Sequence, residues 1–434
     1  MMRRKIYDDL SVWKEKKNRM PLILNGARQV GKTYILKLFG REEYDSFVYI
    51  NLETNGRVRS LFEEGLTPQK IIEQMEVLSD TVIQPRKTLV ILDEIQASER
   101  ALTYLKSFCE ETPDYHIVSA GSLLGVALNR EHYSFPVGYV DEMTLFPLDF
   151  EEFLWANEKE WLADEIRKHF LLDEPLTDAM HQEGLEYYRK YLAIGGMPAA
   201  INAYKERGSL MDVAEPQQRI LNEYVADMAK YSVPSTTVKI RSCYDSIPIQ
   251  LAKENKKFQY KVVQKGGTAT IFGEAIEWLL YAGAVLKCRK IEHGYLPISA
   301  YVDLSDFKLY MGDVGLLTQK TQMPYSVLLS TIPQDNTFMG GIAENFVAQA
   351  LLTNKHQLFY WKNENRAELD FVIQINDKVV PVEVKSGRHT KSKSLEQFRK
   401  KYRCDLAYRI SVNNFGITDG LKSIPLYAVF CIEK

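Results

Sequence analysis

Lys32 and Thr33 close the segment Gly26-Ala27-Arg28-Gln29-Val30-Gly31-Lys32-Thr33, which fits the spacing G-x-x-x-x-G-K-[ST]. The chemistry that needs this pattern is the gripping of a polyphosphate. Glycines let the backbone curl so that successive N–H groups point into one concavity, and the positive end of a following helix adds to the field there. In such a loop Lys32 reaches the β- and γ-phosphates of ATP and the Thr33 hydroxyl binds Mg²⁺. Further along, Thr88-Leu89-Val90-Ile91-Leu92 runs into Asp93 and Glu94. Acids at the end of a buried strand are costly unless they serve a cation or a proton. Asp93 is therefore expected in the Mg²⁺ shell, and Glu94 is expected to orient or deprotonate the attacking water.

A second set lies near the C-terminus: Glu344 in a helical stretch, Asp370 in the run 368–373, and Glu383-Val384-Lys385. This is the nuclease pattern of a helix acid, a strand Asp and Glu-x-Lys. Residues two apart on a strand share a face, so Glu383 and Lys385 point to one side. Asp370 can then complete a carboxylate cage for Mg²⁺, with the Val384 carbonyl as a further ligand. The metal would activate water while Lys385 steadies the nucleophile or the charge on phosphate. The same residues also suit plain cross-strand pairing without cleavage.

The elements that must position these groups are legible. The runs 21–24, 47–50, 88–92 and 116–119 are β-branched and unpatterned, as strands buried on both faces are. They alternate with helical stretches, which predicts βα units and a parallel sheet. Ser119 and Ser122 end the fourth run. One of them, with Ser122 favoured, is expected to contact the γ-phosphate or the water, unless both only turn the chain. Arg130, the nearest downstream arginine, is a candidate arginine finger in cis or from a neighbouring subunit, or a solvated helix-end residue.

The chain has 434 residues, 45% hydrophobic and 26% charged, with a net charge of −2. Length predicts about three domains, and the composition excludes a disordered chain, a collagen-like fibre and a coiled-coil rod. The boundaries read as 1–155, 156–335 and 336–434, with 331–336 as a linker. Five scattered cysteines and seven histidines argue against a disulfide framework or a His-based metal cluster. No signal peptide and no bilayer-spanning run are seen, so a cytoplasmic protein with no membrane partner is expected. The middle region reads as mainly helical. Between 240 and 290 the order is helix, turn, helix, glycine and apolar strand, that of a winged helix. Lys253, Lys256, Lys257, Lys261 and Lys265 there form either a phosphate-contacting patch or the solvated face of a packing module. Strands are expected at 357–361, 368–375 and 378–385, and a basic helix from 392. Residues 340–434 carry 15 Lys and Arg against 10 Asp and Glu, a bias suited to DNA or another polyanion. Gln397 on the basic helix is a candidate phosphate-positioning residue.

The loop at 26–33, Leu-Asp-Glu-Ile-Gln at 92–96, Ala-Gly-Ser-Leu-Leu at 120–124 and Pro-Leu-Asp-Phe-Glu-Glu-Phe-Leu at 147–154 together resemble one family. So do the stretches at 191–198 and 307–317. It is the prokaryotic AAA-like P-loop ATPase family with an uncharacterised C-terminal domain of restriction-endonuclease-like fold. The resemblance spans nearly the whole chain. It implies an α/β protein with a P-loop NTPase parallel sheet, a helical and winged-helix-like middle region and a C-terminal restriction-endonuclease-like α/β domain. It also implies a homo-oligomeric ring. One departure is Tyr139, which stands where such proteins often carry a basic residue, so hydrolysis here would be weaker or would rely on Arg130. The function expected is that of an ATP- and Mg²⁺-dependent ATPase acting on or with nucleic acid. The competing expectation is a nucleotide-gated signalling or regulatory switch with a catalytically silent nuclease-like domain.

Overall fold

The computed structural model describes residues 2–121, 135–331, 337–363, 367–387 and 393–434. One compact unit comprises residues 3–146 with 281–283. It is built on β1 (Leu22–Asn25), β2 (Ser46–Asn51), β3 (Thr88–Asp93), β4 (His116–Ala120) and β5 (Asp141–Thr144). The strands lie in the order β2-β3-β4-β1-β5, and every pairing is parallel. Each of the four apolar runs forms a strand. β3 and β4 are buried along their whole length, as strands covered on both faces must be. β5, Asp-Glu-Met-Thr, is a half-exposed edge, and its polar composition hid it in the sequence. β4 separates β1 from β3. With neighbouring strands ~4.8 Å apart, their carboxyl ends stand roughly 10 Å from each other, and side chains must bridge that gap.

The other unit comprises residues 147–280 and 284–434 together with the first two residues. Helices Phe150–Ala156, Glu160–Leu172, Asp178–Ile194, Pro198–Arg207 and Ala214–Lys230 fill its first part. The turn at 195–198 starts at Gly195, whose φ is 73°. Asp313 accepts from Gly196 N at 2.7 Å and from Leu316 N at 3.0 Å, capping the Val314–Lys320 helix and tying it to that turn.

Helices Pro234–Leu251, Tyr260–Val263 and Ala269–Tyr281 lead into an antiparallel pair, β6 (Val285–Ile291) and β7 (Val302–Met311). β7 was not expected, because its first half is polar and exposed and only its second half is buried. β8 (Phe359–Lys362) and β9 (Glu368–Leu369) complete a sheet ordered β7-β6-β8-β9. Apart from 281–283, residues 156–335 and 336–434 fall in this one unit, and β6 of the first stretch pairs with β8 of the second. Within the linker, residues 332–336 lie outside the described residues.

The third sheet holds β10 (Phe371–Ile375), β11 (Lys378–Val384), β12 (Ala407–Ser411), β13 (Gly416–Thr418) and β14 (Leu421–Pro425), in the order β10-β11-β12-β14-β13. Its inner strands β11, β12 and β14 are parallel. The strand expected at 368–375 is split, and Asp370 sits where the chain leaves one sheet for the other. The basic helix spans Lys393–Tyr402. Among the described residues no helix is long and apolar enough to cross a membrane.

Candidate functional site

The loop at 26–33 joins β1 to the Lys32–Glu43 helix. Gly31, the helix N-cap, sits at φ 98°, where a Cβ would be strained. A Cβ on Gly26 would collide with the Leu145 carbonyl oxygen, so this position too is confined to glycine. Gln29 takes a left-handed φ of 63°, which completes the curl. The Val30 carbonyl accepts from Arg4 at 3.0 Å. Lys32 is buried, 8% exposed, and its Nζ donates to the carbonyls of Gly26 and Ala27, both at 2.8 Å. The ammonium thus bonds to the loop's own backbone. Burial lowers its pKa to about 8, against the pull of Glu94 and Asp93.

Asp93 ends β3, in register with Asn51 of β2 and Ala120 of β4. Its Oδ2 accepts from Thr33 Oγ1 at 2.7 Å and from Tyr49 Oη at 2.9 Å, and its Oδ1 accepts from Glu94 N at 3.1 Å. The Thr33 bond crosses the strand gap. A hydroxyl and a carboxylate oxygen side by side are hard ligands that fit Mg²⁺. Glu94 has a left-handed φ of 53°, and its Oε2 accepts from Gln96 Nε2. Burial raises the Glu94 pKa, and the Gln96 bond opposes that rise. Tyr49 and Gln96 were not singled out in the sequence, and nothing in their local spacing marks them.

Ser119, one of the paired serine candidates, is fully buried and donates to Leu22 O of β1 at 3.2 Å. It holds strands together instead of facing the loop. Ser122 and Arg130 lie outside the described residues. Tyr139 carries Lys106 Nζ 4.5 Å from its ring centre, so a cation stands beside this position.

The C-terminal acids do gather. Glu344, in the Thr337–Thr353 helix, is 4% exposed. Its Oε1 pairs with Lys256 Nζ at 2.6 Å. Its Oε2 accepts from Tyr310 Oη at 3.2 Å and lies 3.6 Å from Lys308 Nζ. Lys308, fully buried on β7, is also 2.7 Å from Glu368. Burial works to lower its pKa, and Tyr310, Glu344 and Glu368 overcome that and hold it well above the ordinary lysine value. Asp370 Oδ2 accepts from Val384 N at 2.8 Å. Its pKa is raised by burial and by the charges of Glu344 and Glu383. Glu383 Oε1 pairs with Lys385 Nζ at 2.6 Å, and Oε2, also buried, has no partner among the described residues.

The acids expected to form a carboxylate cage for Mg²⁺ lie together, and lysines pair with them. Among the described residues no three His, Cys, Asp or Glu side chains are placed to hold a metal, and lysines from β7 and the 252–259 loop take the acids instead. The pairing of those lysines with the acids escaped the sequence reading because they lie far away in the chain, although a lysine inside Phe307-Lys308-Leu309-Tyr310 was a signal. The middle basic patch is thinner than its sequence suggested, since Lys256 pairs with Glu344 and Lys257 with Asp306. Gln397 is exposed.

Residues 18–154 match the family model of an AAA domain. Residues 185–326 and 339–429 match models of two domains of unknown function, DUF8612 and DUF4143. No curated protein matches the chain. Among solved structures it is similar to the Walker-type ATPase of Pyrococcus abyssi, at 14% identity and TM-score 0.46, over 74% of this chain and 96% of that one. It is also similar to the Aeropyrum pernix ORC2 protein in ADPNP and ADP complexes, at 12% identity and TM-score 0.37, over 78% and 94% of the two chains. AMPPCP-bound DnaA from Aquifex aeolicus gives 13% identity and TM-score 0.30, over 64% and 89%. The family match, the all-parallel strand order and the curled loop agree that residues 18–154 form an AAA-like P-loop domain.

Proposed function

We propose that this protein is an ATP-binding, Mg²⁺-dependent ATPase that works with nucleic acid. The observation that carries the ATPase reading is the Thr33–Asp93 contact of 2.7 Å beside a lysine bonded to two loop carbonyls. On binding, Lys32 exchanges the Gly26 and Ala27 carbonyls for the β- and γ-phosphate oxygens of ATP, and the loop N–H groups cradle the same phosphates. Thr33 and Asp93 would hold Mg²⁺, which when bound draws charge from the phosphate oxygens. Tyr49 donates to the same Asp93 oxygen as Thr33 and helps fix the carboxylate. Glu94, raised by burial, takes the proton of the attacking water. Ser122 and Arg130 remain proposed as its water- and phosphate-contacting partners.

Two features support a nucleic-acid role. Three helices followed by an antiparallel pair between 234 and 311 have the element order of a winged helix, and residues 340–434 carry excess positive charge. The Glu344–Lys256 pair favours a nuclease-like domain that recognises without cleaving, because the acid a metal would need already has a cation. The test is ATP turnover by wild type, Lys32→Ala and Glu94→Gln, each with and without DNA. Wild type should show Mg²⁺-dependent turnover that DNA modulates and that both substitutions remove. Wild-type protein indifferent to ATP in calorimetry would overturn the ATPase reading. Mg²⁺-dependent DNA cleavage that Lys385→Ala abolishes would overturn the non-cleaving assignment.

A further inference from the structure

Apart from the phosphate loop and the acid cluster, the unit that contains residues 147–280 and 284–434 holds a cavity of about 360 Å³. It lies where the parallel strands β11 and β12 end, with Ser386 after the first and Asn413 after the second on its wall. Carboxyl ends of parallel strands are where open α/β sheets receive ligands, because the connections diverge there. The Asp178–Ile194 helix supplies another wall with Leu185, Arg189 and Leu192, a spacing that sets all three on one helical face.

Arg189 is the informative group. It is half-buried, and burial lowers its pKa against the opposing influence of Tyr188 and Glu186. Glu186, the acid on its own helix, pairs with Lys190 at 2.7 Å. Among the described residues Arg189 has no hydrogen bond or ion pair of its own. A partly desolvated guanidinium with no counter-ion among the described residues is a ready partner for an anion. The walls are mixed: Leu185, Leu192 and Leu328 give an apolar side suited to a hydrocarbon body, while Ser386 and Asn413 add polar groups.

We propose that this cavity binds a small organic anion with a flat apolar body, an aryl carboxylate or aryl phosphate, its head group held bidentately by Arg189. The site is separate from the phosphate loop and does not rest on the ATPase reading. The test titrates 2-naphthoate and 1-naphthyl phosphate into the full chain by calorimetry, using wild type, Arg189→Gln, Leu192→Trp and Lys32→Ala. The expected result is saturable binding of at least one probe to wild type. It weakens about a hundredfold or more in Arg189→Gln, the loss of two charge-assisted hydrogen bonds, and disappears in Leu192→Trp, where the indole fills the space. Lys32→Ala keeps it, which separates this site from the phosphate loop, and ATP binding by Arg189→Gln is unchanged. The stronger of the two probes distinguishes a carboxylate head from a phosphate head. Failure of both probes to bind wild type, equal affinity in Arg189→Gln, or loss in Lys32→Ala overturns the assignment.

Discussion

The Arg4 guanidinium donates to the Val30 carbonyl inside the phosphate loop at 3.0 Å and to the Phe146 carbonyl at 2.6 Å. In a trans peptide the C=O and N–H point opposite ways. Holding the Val30 carbonyl on Arg4 therefore turns the Gly31 N–H away from Arg4. The Arg4→Met variant is expected to lose about 2–4 kcal/mol of stability, because two carbonyls lose their donors in a buried setting. It is also expected to bind ATP about tenfold more weakly, as the loop amides lose their aim. Denaturant unfolding and a fluorescent-nucleotide titration measure the two effects, and unchanged affinity would show that Arg4 acts on stability alone.

Lys32 titrates at about 8 in the nucleotide-free protein. Its positive charge is present below that pH and lost above it. ATP affinity is thus predicted to hold from about pH 6.5 to 7.5 and then to fall, approaching tenfold per pH unit. A flat affinity profile to about pH 9.5 would count against the Lys32–phosphate contact.

Gln96 donates to the Glu94 carboxylate and lowers a pKa that burial raises. The Gln96→Leu variant removes that donor, so the acid limb of the pH–rate profile should move to higher pH while ATP affinity changes less than about twofold. Glu94→Gln should bind ATP and turn it over about 10²–10³-fold more slowly. Steady-state ATPase assays between about pH 5 and 8 compare all three proteins.

Asp313 is buried, and burial lifts its pKa from 3.8 to about 6, against the backbone donors Gly196, Leu316 and Gly315. The folded carboxyl binds its proton more tightly than the unfolded one. Its contribution is therefore least favourable above about pH 6 and improves on acidification towards pH 4, by about 1 kcal/mol between pH 7 and 5. Subtracting the unfolding free energies of Asp313→Asn from those of wild type at each pH isolates this slope. A wild-type-minus-variant difference that stays constant with pH would refute it.

Lys256→Ala leaves the Glu344 carboxylate without its 2.6 Å partner, at an expected cost of about 3 kcal/mol. It should also open the cluster to a divalent cation, so that Mn²⁺ raises the melting temperature of the variant and not of wild type. Equal Mn²⁺ responses would show that Lys256 does not guard the acids.

The phosphate loop and its sheet were legible because local pattern alone dictates them. Glycine spacing sets the curl, and β-branched runs of four or five residues name the strands. The Glu383–Lys385 pair was equally legible, since residues two apart on a strand must share a face and their charged ends meet at 2.6 Å. What could not be read was long-range. Lys256 meets Glu344 across 88 residues of sequence, and no local rule couples them. The acids alone suggest a metal, and only the fold shows the lysines that pair with them. β5 and the first half of β7 stayed hidden because polar, exposed strands lack the hydrophobic signal that marks buried ones.

The pairing of β6 with β8 bears on how the chain can be divided for experiment. Cutting it near residue 335 would strip β6 of the Arg289–Phe359, Lys290–Tyr360 and Ile291–Trp361 partnership. The exposed ladder would then invite pairing with other molecules. Truncates ending there should precipitate or associate, so a dissection that treats the tail as a detachable module would be studying damage.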